Sequence, residues 1–575
     1  MTRHGGRDGA PAGPAELLAD LILHNGRVAT LSAIQPEAES VAILGDRIVA
    51  VGRDSDVRRL GGSGTRVIDL RGRRVIPGLM DNHTHYLLAG LDSPEVGVKV
   101  NIAWARSIAE IVEAIRRKVA ETPPGEWIVT SPMFRGALAE GRFPNRHDLD
   151  PVSPDNPVYI FQSGKNIIVN SLALRLAGIT RDTPDLEDPP EGHIVRDSDG
   201  EPTGHLIAGA ADRARLRWWE QLGLPPKMWD FLYFPQERQI QALESQGRTY
   251  LACGVVAVRD MGVSPDEVDA YVAAHLQGRL PVRTDLILGL PARSLATEEV
   301  ERRLREYFGP KQGIGNDWLR VGGLKLVVQN DGWWAYSAEK LRRMVLEANR
   351  RGWTLAIHVS SGTSREAPAL VLDALEEADR EVPVGGRRFS YEHGFGLTDA
   401  NEIPRAKALG MIVASSPLLA YYGAARSFRM HQVMNEIRLA KEPVGDPWER
   451  AKTDWGLPFR EWLEAGLTVT AGTDNPAVAY DVDHPLLGMY HVTTGQTLAG
   501  VLLPGQAATR EEALRMWTIN NAHAVFQEDR RGSIEVGKLA DMVVLSDDVL
   551  TCPDERVKDI TVIMTVIGGR VAYER

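Results

Sequence analysis

Eight short apolar runs set the strongest limit on what this chain can fold into. They stand at RRVIPGLMD (73–81), GVVAVRDMG (254–262), VRTDLILGL (282–290), LRVGGLKLVV (319–328), WTLAIHVSS (353–361), RRFSYEHG (387–394), GMIVASSP (410–417) and GLTVTAGTD (466–474). From the second onward, most are separated by amphipathic stretches such as SAEKLRRMVLEANRRG (337–352), with apolar residues at helical spacing and a glycine stop. Eight β–α units in series predict an α/β fold built on a (β/α)8 TIM-like barrel in preference to an open sheet. One interval is irregular, because about 170 residues separate the first run from the second. A βα connection needs far fewer. The excess, about residues 95–245, is expected to be an insertion with helices of its own. Since it follows a strand's carboxyl end, it should stand over the active-site face as part wall and part lid.

The two chain ends carry a different period. ADLILHNGRVATL, SVAILGDRIVAVG and TRVIDLRGRRVIPG alternate apolar and polar residues between Gly or Asn-Gly turns, and so do SIEVGKLADMVVLS and DITVIMTVIGGRVAYER. Neither end, at about fifty residues, has enough surface to bury a core alone. The expectation is one small β-sandwich domain composed of 19–75 and 531–575. A barrel domain over 76–530 is inserted between them, and residues 1–18 form a flexible tail.

Charge and composition remove several function classes. Lysine and arginine number 66 against 77 aspartates and glutamates, a net charge of −11. Such a surface has no general attraction for nucleic acid or anionic lipid. No stretch reaches the roughly 18–20 apolar residues of a membrane span, and MTRHGGRDGAPAGPAE lacks the apolar region of a secretory signal, so a cytoplasmic protein is expected. Cys253 and Cys552 form neither a disulfide framework nor a CxxC site. No GxGxxG follows a strand and no GxxxxGK[ST] occurs, so nucleotide-driven chemistry is not expected. EEVERRLREY reads as a solvated helix face.

The residues that carry chemistry fall at strand ends. His83 and His85 sit two apart just past the first apolar run, so strand alternation aims both imidazoles the same way. Lys325 lies inside GGLKLVV, His358 ends WTLAIH, His393 ends FSYEH and Asp474 ends LTVTAGTD. Six polar groups thus come from five strands, at or near the end where a barrel places catalysis. Neutral imidazoles and a carboxylate suit zinc and related divalent ions, which lower the pKa of bound water towards neutrality. An aspartate beside that water can take its proton and pass it to a leaving group. A lysine ammonium in a barrel core is costly to desolvate. A neutral lysine there can add carbon dioxide and become a carbamate able to bridge two ions.

Residues 19–575 resemble the amidohydrolase superfamily, and within it the type 3 branch of N-substituted formamide deformylase-like and YtcJ-like proteins. The blocks that carry the resemblance are VIPGLMDNHTH, NSLALRLAGITRDT with EGHIVRDSDGEPTGHL, SYEHG, AGTDNP, and TINNAHAVFQEDRRGSIEVGKLADMVVLSDD. The resemblance implies that His83, His85 and Asp474 hold one metal and that His358 and His393 hold a second where one is present. It implies a carboxylated Lys325 as the bridge, and Asp474 as general base and then acid. The implied reaction is hydrolysis of a non-peptide C–N bond (amide, N-acyl, N-formyl or carbamate-like) in a small organic molecule by metal-activated hydroxide. Members of the superfamily often form homo-oligomers.

Three stretches depart from the family pattern, all on the substrate side: QNDGWWAYSAE after Lys325, HVSSGTS after the fifth strand, and Ser163-Gly164-Lys165-Asn166 in the insertion. Trp333 and Trp334 with Tyr421 and Tyr422 could form an aromatic substrate pocket or pack beneath the insertion. Lys165 could meet an acidic substrate group or simply be solvated, and Lys325 has Asp331 as an alternative partner. Asp81 reads as an orienter or turn residue and Asp260 as an organiser of the loop that follows it. His147, His193, His205, His431 and His523 read as surface or structural. Two other readings remain open. One is a deaminase or a lactone or ester hydrolase on the same site, although HVSSGTS lacks the glutamate–histidine pair of the superfamily's deaminases. The other is a barrel that binds or regulates without turnover.

Overall fold

The computed structural model describes residues 18–575 except 134–137, 164–165, 229–232, 291, 293–294, 307–310, 331–332, 360–365, 430–445 and 477–483. Each of the eight apolar runs contributes a strand: β1 (Leu79–Thr84), β2 (Val255–Val263), β3 (Arg283–Gly289), β4 (Leu319–Asn330), β5 (Leu355–Val359), β6 (Ser390–His393), β7 (Ile412–Ser415) and β8 (Thr468–Ala471). They pair in parallel in chain order. The β8–β1 seam has no ladder, yet it is bridged. Asn82 Nδ2 donates to Thr470 Oγ1 at 2.8 Å, and Asp474 N donates to the His83 carbonyl at 2.7 Å. The result is a nearly closed eight-stranded barrel. Met261, Ile287 and Ala356 form a small apolar cluster of their own.

The helices follow from local chemistry. In Ala338–Arg350 the Ser337 hydroxyl accepts from Lys340 N, and Leu341, Met344, Val345 and Ala348 repeat at helical spacing on the buried side. In Pro265–Leu276, Ser264 and Glu267 form a capping box ahead of a proline in the first turn.

RRVIPGLMD, read as one strand, is two. Arg74–Pro77 belongs to a six-stranded sheet and Leu79–Thr84 to the barrel. Gly78 turns the chain between them where a Cβ would lie 2.4 Å from Val256 Cγ2, so only glycine fits.

The end segments are strands, but several Gly turns do not make hairpins. Leu21–His24 pairs with Ser40–Leu44 and Arg66–Asp69, whereas Arg27–Ala29 pairs with Arg74–Pro77 in the other sheet. Asn25, at φ 55°, turns the chain from one sheet to the other, and its Nδ2 donates to Asp69 at 2.7 Å. Hairpins do form at Ser40–Leu44 with Arg47–Gly52, and at Val562–Ile567 with Arg570–Glu574. SIEV forms no strand. The six-stranded sheet joins both ends, because Arg74–Pro77 pairs with Met542–Leu545. Ile43 and Val41 of one sheet share an apolar cluster with Met542 and Val566 of the other. Two buried arginines lock this layer in place. Arg74 binds Asp548 through two hydrogen bonds of 2.9 and 2.8 Å, and Arg283 of β3 binds Asp541 at 2.7 and 2.9 Å.

The insertion holds helices, as expected, and also a five-stranded sheet that the sequence reading lacked. Its strands are Ile128–Val129, Val158–Ser163, Asn166–Val169, Gly192–Arg196 and Pro202–Ala208. One sheet face packs on helix Ile108–Ala120 and receives Trp333 from the end of β4. The other packs on helices Ser171–Ala177 and Gly209–Leu222. Helix Gln236–Ala252 runs through the expected boundary at 245 and packs on β2 and on helix Tyr86–Asp92. Among the described residues no helix is long and apolar enough to cross a membrane.

Candidate metal centre

Strand alternation in β1 and its continuation brings His83 and His85 to the barrel mouth, and β8 delivers Asp474 opposite them. His83 Nε2 lies 3.5 Å and His85 Nε2 3.3 Å from Asp474 Oδ1. Ligand atoms of the three fall within 4.8 Å of one another. An ion with arms of about 2.0–2.1 Å in tetrahedral geometry separates its ligands by about 3.3–3.4 Å, close to both Nε2–Oδ1 separations.

The other three predicted residues adjoin it. Lys325 Nζ is 3.2 Å from His83 Nε2, and His393 Nε2 is 2.6 Å from His358 Nδ1. The His83 and His393 rings lie 4.5 Å apart. All six residues therefore meet at one place. His393 and Asp474 reach it through left-handed backbone, at φ 71° and 55°, which swings each side chain out of its strand's alternation. Such conformations in residues other than glycine concentrate at functional sites.

The imidazoles are oriented from behind. Glu392 binds His83 Nδ1, the Met261 carbonyl accepts from His85 Nδ1 at 2.9 Å, and Ser416 Oγ meets His393 Nδ1 at 2.9 Å. These contacts occupy Nδ1 of His83 and His85 and turn each Nε2 towards Asp474 Oδ1. Glu392 is completely buried and is held by Arg259 Nη1 at 3.2 Å and by Ser390 Oγ. Sequence reasoning missed both Glu392 and Arg259. The letters gave little signal, because Glu392 stands between Tyr391 and His393 in SYEH and Arg259 stands beside Asp260 in VVAVRDMGV.

Burial dominates the electrostatics. It pulls Lys325 down to about 8, and burial followed by the Lys325 charge pulls His83 down to about 4. Burial and then His83 hold His393 well below the usual histidine range. Burial alone would raise Asp474, but the His85 hydrogen bond and the surrounding histidines keep it below the ordinary carboxylate value. His83 and His393 are therefore neutral imidazoles and Asp474 is ionised, the forms a metal ligand needs, while Lys325 gives up its proton more easily than an ordinary lysine.

The remaining expectations divide. Asp81 accepts from Thr473 N and Oγ1 and from His83 N, tying β8 to β1. Asp260 accepts from Tyr86 N at 2.9 Å and from the Tyr271 hydroxyl, organising the helix after β1. Trp333 is 5% exposed and packs in the insertion's core, stacked on His193. Trp334, Tyr421 and Tyr422 are half-buried. His193 pairs with Asp185 and His523 with Glu528. His205 is buried on the insertion sheet, and neither ring nitrogen has a partner among the described residues. Lys165, Asp331 and His431 lie outside the described residues.

A profile described as "Amidohydrolase family" matches residues 66–573. The chain belongs to the amidohydrolase family. This makes it an enzyme, a metal-dependent hydrolase of carbon–nitrogen bonds. The N-substituted formamide deformylase of Arthrobacter pascens is 30% identical, over 97% of this chain and 99% of that protein. The putative amidohydrolase YtcJ of Bacillus subtilis is 26% identical, over 96% and 99% respectively. Among solved structures, an uncharacterised metal-dependent hydrolase of Pyrococcus horikoshii superposes with a TM-score of 0.65 at 20% identity. It covers 93% of this chain and 99% of that one, which speaks for the amidohydrolase fold.

Proposed function

We propose that this amidohydrolase cleaves an amide, N-acyl, N-formyl or carbamate-like bond of a small organic molecule at a centre held by His83, His85 and Asp474. The observation that carries the reading is the pair of 3.5 and 3.3 Å separations from the two Nε2 atoms to Asp474 Oδ1. In this reading a second ion would be held by His358, His393 and a carboxylated Lys325, once the two facing ring nitrogens, 2.6 Å apart, draw away from each other. A bound divalent ion, zinc foremost, would acidify water and polarise the substrate carbonyl oxygen. Asp474, ionised and next to both histidines, takes the proton of the attacking water and returns it to the leaving nitrogen as the C–N bond breaks. Glu392 holds the His83 ring in register, and Arg259 keeps Glu392 charged. Trp334, Tyr421 and Tyr422 are the aromatic candidates for the substrate wall. The similarity to a formamide deformylase supports the C–N class.

In this reading 19–75 and 531–575 form a composite β-sandwich domain beside a barrel domain over 76–530, and the insertion serves as the lid. The enzyme is cytoplasmic, and homo-oligomers are expected. The test combines metal analysis of the purified protein with a hydrolysis screen over N-formyl, N-acyl, carbamate and lactone compounds. Turnover of a C–N compound that disappears on chelation supports the assignment. Turnover of lactones alone overturns it.

A further inference from the structure

At the end of the barrel away from the metal centre, the chain entering β4, β5 and β6 borders a cleft of about 280 Å³. Its lining includes Gln312, Arg320, Thr354, Gly386, Arg387 and Phe526, and none of its lining residues is acidic. In a chain of net charge −11, a cleft with two arginines and no carboxylate stands out.

The two cations are differently tethered. Among the described residues Arg320 uses only Nη1, towards the Val525 carbonyl at 3.1 Å and Asp285 at 3.5 Å. Asp285 also pairs with Arg531, so one carboxylate serves two guanidinium groups and a positive charge is left over. Arg387 is anchored through its backbone, where its carbonyl accepts from Thr354 Oγ1 at 2.6 Å. Its guanidinium has no hydrogen bond or ion pair among the described residues. Gln312 and Thr354 bind each other and add a neutral floor.

The rim is fixed. Arg388 and Phe526 both hold left-handed backbone, at φ 54° and 58°. The Arg388 guanidinium lies 4.1 Å over the Phe526 ring and pairs with Glu528 at 2.7 Å. Arg388 is thereby neutralised, which leaves the uncompensated charge inside the cleft.

We propose that this cleft binds a small oxyanion, a carboxylate or phosphate gripped by Arg320 and Arg387. Guanidinium groups with free N–H pairs match the planar or tetrahedral oxygens of such ions and bind them in bidentate fashion. Two sources share that chemistry. One is a carboxylate released by the hydrolysis proposed above, which rests on that reading, and the other is free phosphate.

The test is isothermal titration calorimetry of the full-length holoenzyme at fixed ionic strength, with sodium phosphate and sodium acetate in separate arms. It is repeated with Arg387→Leu and Gly386→Glu. A Cβ on Gly386 meets nothing within 4 Å, so the glutamate is accommodated and sets a carboxylate beside the arginines. One saturable site is expected for at least one anion, weakened about tenfold or more by Arg387→Leu and abolished by Gly386→Glu. Phosphate alone binding identifies the free ion as the source, and acetate binding supports the released carboxylate. No saturable heat with either anion overturns the site. Binding of equal strength in both variants also overturns it, because it places the ion at the metal centre instead. The readout needs no turnover, so a chain that binds the anion and hydrolyses nothing sinks the hydrolase reading and leaves this cleft standing.

Discussion

The barrel mouth and the insertion sheet both bury polar side chains, and the difference between them lies in which ones are charged. At the mouth each buried charge has a partner of the right kind. Arg259 meets Glu392, Glu392 meets His83, and His83 meets Asp474. In the insertion, Gln162, Asn166 and His205 are just as deeply buried, yet among the described residues their polar side-chain atoms have no partners. A charge can be kept in a low-dielectric core only by compensating its lost solvation. A neutral amide or imidazole can be left unsatisfied at a smaller cost. The contrast marks where the fold commits its polar groups to a task and where it merely tolerates them.

The largest effect should come from breaking the mouth at its proton carrier. Asp474→Asn is expected to lower turnover by roughly 10²–10⁴ at unchanged fold, as steady-state rates against circular dichroism will show. Full activity in that variant would remove the proton-transfer role. Glu392→Leu strands Arg259 without its anion and should cost about 3–5 kcal/mol of stability in denaturant titration. The gentler Glu392→Gln should weaken metal binding by about 10–100-fold, measured by competition with a chelator. The sheet should respond with the opposite sign. Asn166→Leu removes unpaired polar atoms and should be neutral or stabilise by about 1 kcal/mol. A large loss there would mean that the amide has a partner after all.

A further effect is one of pH. Burial, followed by the His193 charge, pulls His205 down to about 3. The unfolded chain, with an ordinary histidine value near 6.5, then takes up the proton first. Stability should fall as pH drops from about 6.5 towards 3. His205→Phe should flatten that part of the thermal midpoint–pH curve, and an unchanged slope would show that other groups set it.

Much of the barrel was legible because each strand is an apolar run and the proposed ligands, apart from Lys325 inside its run, sit at or just past a run's end. His83 and His85 needed nothing more. His393 and Asp474 were found by position, although their left-handed backbone was invisible in the letters. Glu392 and Arg259 escaped because a charge in a buried strand has meaning only through its partner, and these two lie 133 residues apart. The same limit explains Asn25-Gly26. The dipeptide signals a turn, but whether the next strand returns to the same sheet or crosses to another depends on the distant segment that pairs with it.

Gly78 has a bearing on biosynthesis. The segment that carries the first two histidines is moored, one residue upstream, to Met542–Leu545. During translation that mooring partner leaves the ribosome only after nearly all of the chain has been made. A nascent protein halted before that point holds every candidate ligand in its sequence but has Arg74–Pro77 paired on one side only, with Arg27–Ala29. The six-stranded sheet beneath the first barrel strand is thus completed only at the end of synthesis.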